Sequence, residues 1–308
     1  MTNTFRHVTY YGETRLTDNL GYGTSQFINQ CYLNIGAFTN VTIPTSGAYG
    51  GNFHRLYPVE TPYYNDGQVW EASRSHWVFE NDLNNYDPIR VSGVYIDGVF
   101  NPTTGIANEH YINYRDGQIV FTSGIDINST VECEYSFKNV QIFTDDCPWF
   151  KDVMSNSLRV DLSDHLTRAS GDYATLSQNR VQLPAIIIQP LTNVSLVGRE
   201  LGGYNKRFQD MLLHIIGEHP WQKTSIVDDL INQKNATYYI YDRDKALSSG
   251  VFPLDYKGAL NTGGLMYNDI INNYYYRSTY ISDVSANDFS KPGGLEYGIV
   301  RWKVEINI

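Results

Sequence analysis

The chain has 308 residues, 42% of them hydrophobic and 18% charged, which excludes a disordered chain and leaves room for about two domains. With 23 Lys and Arg against 33 Asp and Glu, the net charge is −10; a general nucleic-acid coat and attachment to anionic lipid are both disfavoured, since each needs a basic footprint. The 25 tyrosines supply most of an aromatic content of 14%, a surplus that fits β-structure, extensive interfaces or a carbohydrate platform.

Residues 1–86 read as a loop-rich N-terminal region with one helix. Thr24 or Ser25 caps a segment in which Phe27, Ile28, Cys31, Tyr32 and Ile35 recur at helical spacing, and Gly36 stops it. Pro44 to Pro62 is rich in Gly, Pro, Asn and Tyr and reads as irregular, with a return to strand between Trp70 and Glu80. Residues 87–145 read as a β-meander or small sandwich of four to six strands. Asp97-Gly98 and Arg115-Asp-Gly-Gln118 sit between apolar runs as hairpin turns, and Val131 to Phe137 alternates with period two before Val140 to Phe143. Residues 146–180 are polar and read as a connector.

Residues 181–308 follow an α+β pattern. Val181 to Ile188 is a strand with Pro184 near its start. Phe208, Met211, Leu212, Ile215 and Ile216 have the spacing of an amphipathic helix. A second helix is capped by Thr224 or Ser225, with Asp228 at the capping-box position. Tyr238 to Tyr241 and Tyr274 to Ile281 are strands. In the last strand Val300, Trp302, Val304 and Ile306 alternate with Arg301, Lys303, Glu305 and Asn307. The expected class is α+β: a mostly β N-terminal region, then an antiparallel sheet packed on two helices.

Few residues fall into a chemical pattern. His214 and His219 are five apart, which does not put both on one helical face, so His214 reads as a packed histidine. Asp242-Arg-Asp244 resembles an acidic metal-binding pair but reads as a turn. Gly198-Arg-Glu-Leu-Gly-Gly203 reads as a loop entering a helix and lacks the Lys-Ser/Thr ending of a phosphate-binding loop. Cys147 has no activating His nearby in sequence, and three widely spaced cysteines (Cys31, Cys133, Cys147) form neither a disulfide framework nor a zinc motif. Asn40, Asn128, Asn193 and Asn235 begin Asn-x-Ser/Thr triplets. The opening residues lack the apolar core of a secretory signal, so these triplets reflect composition and the expected compartment is a reducing cytosol. No cofactor, metal or catalytic set is expected. Tyr63, Tyr64, Trp70, Trp77 and Tyr274 to Tyr276 are the aromatics that exposure would turn into a sugar-stacking surface.

Val91 to Gly98, Tyr111 to Phe121 and Val131 to Phe137 resemble a β-module common in tailed-bacteriophage virion proteins. Leu183 to Ile188, Gln209 to Ile216, Asp229 to Gln233 and Ile299 to Ile306 are together similar to phage neck proteins of the tail-terminator type. The resemblance implies a non-enzymatic virion subunit, assembled in the host bacterial cytoplasm, that closes into a homo-oligomeric ring, commonly a hexamer. Its implied neighbours are connector, tail-tube or sheath proteins, with genomic DNA passing through the lumen without specific binding and no membrane partner. The chain is longer than a simple tail terminator, which leaves terminator, connector, collar and baseplate component open. Tyr274, Tyr275, Tyr276 and Trp302 are the expected interface residues. The alternatives are a carbohydrate- or receptor-binding adsorption or baseplate module using exposed aromatics, and a hydrolase whose carboxylates meet only in the fold.

Overall fold

The computed structural model describes residues 15–43, 52–103, 108–147, 149–150, 181–198, 205–290 and 295–307. Its class is α+β, with mostly antiparallel sheets and four helices among the described residues. In chain order the first elements are α1 (Leu16–Asn34), β1 (Phe38–Val41), β2 (Arg55–Pro58), β3 (Val69–Ala72), β4 (Gly93–Ile96) and β5 (Val99–Pro102). Next are β6 (His110–Asn113), β7 (Gln118–Phe121), β8 (Val131–Glu132), β9 (Tyr135–Lys138) and β10 (Gln141–Thr144). The remainder are β11 (Ala185–Gly198), β12 (Asn205–Gly217), α2 (Pro220–Ile231), β13 (Thr237–Tyr241), α3 (Arg243–Ser248), α4 (Tyr267–Tyr274), β14 (Tyr275–Ser290) and β15 (Glu296–Asn307).

The first sheet has the order β5-β4-β8-β2-β3-β7-β6. The segment expected to be loop-rich therefore supplies two of its interior strands, β2 and β3. β2 (Arg55–Pro58) lies in the Gly- and Pro-rich stretch expected to be irregular, whereas β3 overlaps the start of the expected return to strand between Trp70 and Glu80. The expected boundary at residue 86 is corrected accordingly. Val131 to Phe137 is also not one strand: β8 pairs with β2 and β4, whereas β9 leaves to pair with β1. Asp97 (φ 48°) and Gly98 (φ 80°) make the tight hairpin that the sequence predicts. The second hairpin is a four-residue turn instead. The Asn113 carbonyl accepts from the Gly117 amide (2.9 Å), and Gly117 alone takes positive φ (68°). A Cβ there would lie 2.5 Å from the Arg74 carbonyl oxygen. Trp70, Trp77, Phe121, Tyr135 and Ile119 fill the core, with Trp77 stacked on Tyr135 at 4.4 Å.

The second sheet has the order β10-β11-β12-β15-β14-β13. β10, expected to belong to the first β-module, joins this sheet as the parallel neighbour of β11. The connector expected over 146–180 lies mostly outside the described residues. Phe208 to Ile216 is strand, not helix. As part of β12 it lies between β11 and β15 and is covered on both faces: Met211, Leu213 and Ile215 point to one core, Ile216 to another. A strand buried on both faces reads as a near-continuous apolar run, and such a run matches helical spacing by chance.

The two helices on the sheet are α1 and α2, and both begin earlier than their sequence signals. α2 starts at Pro220, where a missing N–H costs nothing. The Gln222 side-chain oxygen accepts from the amides of Glu218 (2.9 Å) and His219 (3.2 Å), while the hydroxyls of Thr224 and Ser225 donate back to carbonyls one turn earlier. α1 extends through Gly21 and Gly23, residues that weaken an isolated helix. Here they let the backbone approach the sheet: a Cβ on Gly23 would stand 2.6 Å from Ile240 Cγ2, and one on Gly21 2.9 Å from Pro190 Cγ. Pro190 is on β11 and Ile240 on β13, about 19 Å apart if the sheet were flat, whereas a helix is about 10–12 Å across. The sheet must therefore curl around α1. Leu20 and Ile28 of α1 and Ile226 and Leu230 of α2 pack with Ile186, Ile188, Val300, Trp302, Val304 and Ile306 in this trough. The β15 alternation is as the sequence predicts.

The two parts of the fold meet through side chains of both. Lys138 on β9 reaches Glu80 (2.6 Å) and Asn29 of α1 (3.0 Å), and the Tyr114 amide donates to the Gly258 carbonyl (2.9 Å). Among the described residues, no helix is long and apolar enough to cross a membrane.

Candidate assembly surface

The four residues expected at an oligomer interface separate in the structure. Trp302 is fully buried, and its indole N–H donates to the Leu230 carbonyl (3.1 Å). Tyr276 is buried in the same core, with the Arg277 guanidinium 4.7 Å from its ring centroid. Tyr274, at the end of α4, is half-buried against the small cluster around Tyr241 and Ile270. Only Tyr275 is exposed, edge-on to the exposed Tyr239 at 5.8 Å. The interface reading of Trp302 and Tyr276 is thus corrected. Alternation along β15 aims Trp302 at the helices, and the period of β14 turns Tyr275 out and Tyr276 in.

The sugar-platform candidates also divide. Trp70 and Trp77 are core residues whose indole N–H groups donate to the carbonyls of Gly67 (2.9 Å) and Arg74 (2.8 Å). Tyr63 is 89% exposed and Tyr64 lies beside it, its hydroxyl 2.8 Å from that of Tyr111. Tyr256 is 84% exposed, and the Lys257 amine lies 5.3 Å from the Tyr111 ring and 5.7 Å from the Tyr256 ring. Burial, followed by the bond to Tyr64, raises the Tyr111 hydroxyl above the ordinary tyrosine range. Tyr111 and Tyr256 were missed because they join Tyr63 and Tyr64 from separate segments.

The remaining motifs are structural in this geometry. Both ring nitrogens of buried His214 are occupied, by the Tyr297 hydroxyl (2.6 Å) and the Gln189 side-chain oxygen (3.0 Å). Asp242 caps α3 by accepting from the Lys245 amide (3.1 Å), and Asp244 pairs with Arg15 (3.2 Å). Gly198 ends β11 opposite Asn205 of β12, so the glycine-rich segment links two strands and does not enter a helix; its residues 199–204 lie outside the described ones. Burial pushes the thiols of Cys31 and Cys147 up to about 11, away from the thiolate a nucleophile needs. Among the described residues, no three His, Cys, Asp or Glu side chains gather as metal ligands.

One titrating group has a measurable consequence. His76 (φ 55°) packs edge-on to Phe143, and burial followed by the nearby Lys138 charge pushes its pKa down to about 4. The unfolded chain protonates this imidazole near about 6.5, so between the two values the unfolded state binds more protons. Stability is expected to fall as pH drops from about 6.5 towards 4 and to be unaffected by this group above that window. His76→Asn, which tolerates the left-handed backbone, should flatten that slope in urea melts at pH 7 and pH 4.5. An unchanged slope would assign the acid sensitivity elsewhere.

Two exposed arms extend from the second sheet among the described residues. β10 flanks β11 only from Ala185 to Ile188, and Pro190, without an N–H, follows where that pairing stops. From Ser195 to Gly198 four consecutive residues are exposed, including Leu196 (64%) and Val197 (49%). Neighbouring strand residues face opposite ways, so both faces of this stretch stand clear of the core. At the other edge, β13 pairs with β14 only between Tyr275 and Tyr280. Ser285 to Asp288 are again exposed on both faces, with no described strand on their outer edge. In register, Gly198 lies with Asn205 and Asn307 at one end of the sheet, and Asp288 lies with Gly298 at the other. The arms thus leave from opposite edges and opposite ends. No protein-family model matches the chain, and no curated protein matches it.

Proposed function

We propose that this chain is a non-enzymatic structural subunit of a tailed-phage virion, joining copies of itself into a ring at the head-to-tail neck as a tail terminator or connector. The observation that carries this reading is the pair of arms at opposite edges and ends of one curled sheet. Unpaired strand edges are templates for another chain. Two unlike edges at opposite ends favour head-to-tail contacts, and such contacts generate a ring when the rotation per subunit closes. The net charge of −10 suits a channel through which DNA slides without adhering. The position at the neck comes from the sequence resemblance, to which the α+β fold is congenial.

The test is electron microscopy and sedimentation of the purified protein, with antibody labelling of virions. Closed rings and label at the head–tail junction are expected. A monomer at all accessible concentrations, or label confined to tail fibres, would overturn the reading. The tyrosine cluster of Tyr63, Tyr64, Tyr111 and Tyr256 favours a second reading, an adsorption module stacking on saccharides. Saturable glycan binding abolished by Tyr63→Ala and Tyr256→Ala would select it over the first.

A further inference from the structure

Three side chains from separate segments converge where α1 meets the first part of the fold. Lys138 of β9 donates from Nζ to Oε1 of Glu80 (2.6 Å) and to Oδ1 of Asn29 on α1 (3.0 Å). The Asn29 side-chain amide in turn donates from Nδ2 to the same Glu80 oxygen (2.9 Å). An amine, a carboxamide and a carboxylate thus form a closed triangle. The amine touches the amide oxygen, and the carboxylate touches both nitrogens. Those are the contacts of a nucleophile with its electrophile, and of a proton carrier with nucleophile and leaving group together. The fold holds the corners in place. Backbone bonds from the Val78 amide to the Ser136 carbonyl (2.8 Å) and from the Lys138 amide to the His76 carbonyl (3.1 Å) fix the segment before Glu80 against β9. The Glu80 carboxylate also accepts from the Phe79 amide (3.1 Å), and the Phe79 ring centroid lies 5.0 Å from Lys138 Nζ. The side chains of Lys138 and Glu80 are only 14% and 6% exposed, which keeps bulk water from the triangle.

We propose that Lys138 and Asn29 join in an intramolecular isopeptide bond, with Glu80 carrying the proton, so that the two parts of the fold become covalently linked. In the resting ion pair the amine is protonated. Passing that proton to Glu80 exchanges two buried charges for two neutral groups, a trade that burial assists. The lone pair freed on Nζ then attacks Cγ of Asn29, the carbon bonded to the Oδ1 it already contacts. A second proton passes from Nζ through Glu80 to Nδ2. The Cγ–Nδ2 bond breaks with its electron pair on that nitrogen, and ammonia departs. It takes the first proton with it as ammonium, which leaves Glu80 ionised as at the start. One C–N bond forms for the one that breaks, nothing is oxidised or reduced, and no co-reactant enters. Since the ion pair is the resting form, the reaction is slow, and freshly purified protein holds the pair. The bond ties α1, packed in the core of the second sheet, to β9, whose Tyr135 and Phe137 pack in the core of the first. Unlike a disulfide, it needs no oxidising compartment. The inference goes beyond the ring reading and does not depend on it.

Intact-mass spectrometry of the full chain tests this. Wild-type protein kept folded at neutral pH is expected to lose the mass of one ammonia, once per chain, as it ages. Proteolysis of the aged protein should then release a branched peptide joining Asn29 to Lys138. Lys138→Arg keeps the charge but removes the nucleophile, and Glu80→Gln removes the proton carrier. Both variants are expected to keep their full mass, as is wild-type chain held unfolded in guanidinium chloride, where the three groups are apart. Wild-type protein that stays folded and keeps its full mass after prolonged incubation would overturn the proposal, whatever the variants do. An ammonia loss that persists in Lys138→Arg and yields no branched peptide would overturn it too, because an asparagine closing on its own backbone loses the same mass. Neither result depends on whether copies assemble, so this bond and the ring fail separately.

Discussion

Trp302→Ala is expected to lower the free energy of unfolding by about 3–5 kcal/mol, the range for removing a fully buried large aromatic side chain. The indole sits on β15 with Met211 of β12 on one side and Val284 of β14 on the other, and its N–H holds the Leu230 carbonyl in the last turn of α2. Alanine empties the space between sheet and helix and removes that bond, leaving the carbonyl its backbone contact from the Gln233 amide (3.3 Å). A domain has only about 5–15 kcal/mol to lose, so the midpoint in urea should move far, with m unchanged. An interface tryptophan would behave oppositely, weakening association while leaving the monomer's midpoint in place. Unfolding at an unchanged midpoint would therefore contradict the core position of Trp302.

The second large effect is expected at Lys138. Glu80 is almost fully buried, and its carboxylate accepts from Lys138 Nζ (2.6 Å), from the Asn29 side-chain amide (2.9 Å) and from the Phe79 amide (3.1 Å). Lys138→Met preserves most of the stem and removes the ammonium, leaving a buried carboxylate with neutral donors only. Breaking such a pair typically costs about 3–5 kcal/mol, because one charge is left uncompensated. Removing both charges, as Lys138→Met with Glu80→Gln, should recover most of that loss. Since Asn29 belongs to α1 and Lys138 to β9, amide exchange in α1 should accelerate in the single variant and return in the double. A loss under about 1 kcal/mol would mean that the pair is screened like a surface ion pair.

How far the fold was legible depended on what each segment touches. The alternation of β15 and the Asp97-Gly98 hairpin were readable because a single sheet face and a local turn set those patterns. Phe208 to Ile216 was misread because burial on both faces erases the period that separates strand from helix. The start of α1 was hidden by Gly21 and Gly23, whose role is a contact with strands more than 150 residues away in sequence. The candidate surface was less legible still. The same alternation that assigns Val300 and Val304 to the core assigns Trp302 there too, so composition alone made it an interface residue. Asn29, Glu80 and Lys138 come from three segments that share no sequence pattern, and only the fold brings them together.

The place of β15 in the second sheet has a consequence for synthesis. It is the last strand in sequence yet lies between β12 and β14, in the interior of the six-stranded order. As the chain leaves the ribosome, α1 emerges before the strands of its trough, and β12 and β14 emerge with a strand-wide gap between them. Until residues 296–307 follow, both flanks of that gap are open templates for a stranger's strand. The β14–β15 hairpin is local and can form at once, but the β12–β15 pairing that completes the sheet joins distant parts of the chain and forms slowly. Until β15 docks, the nascent chain is therefore most prone to aggregate, and its yield should depend on how quickly residues 296–307 find their slot.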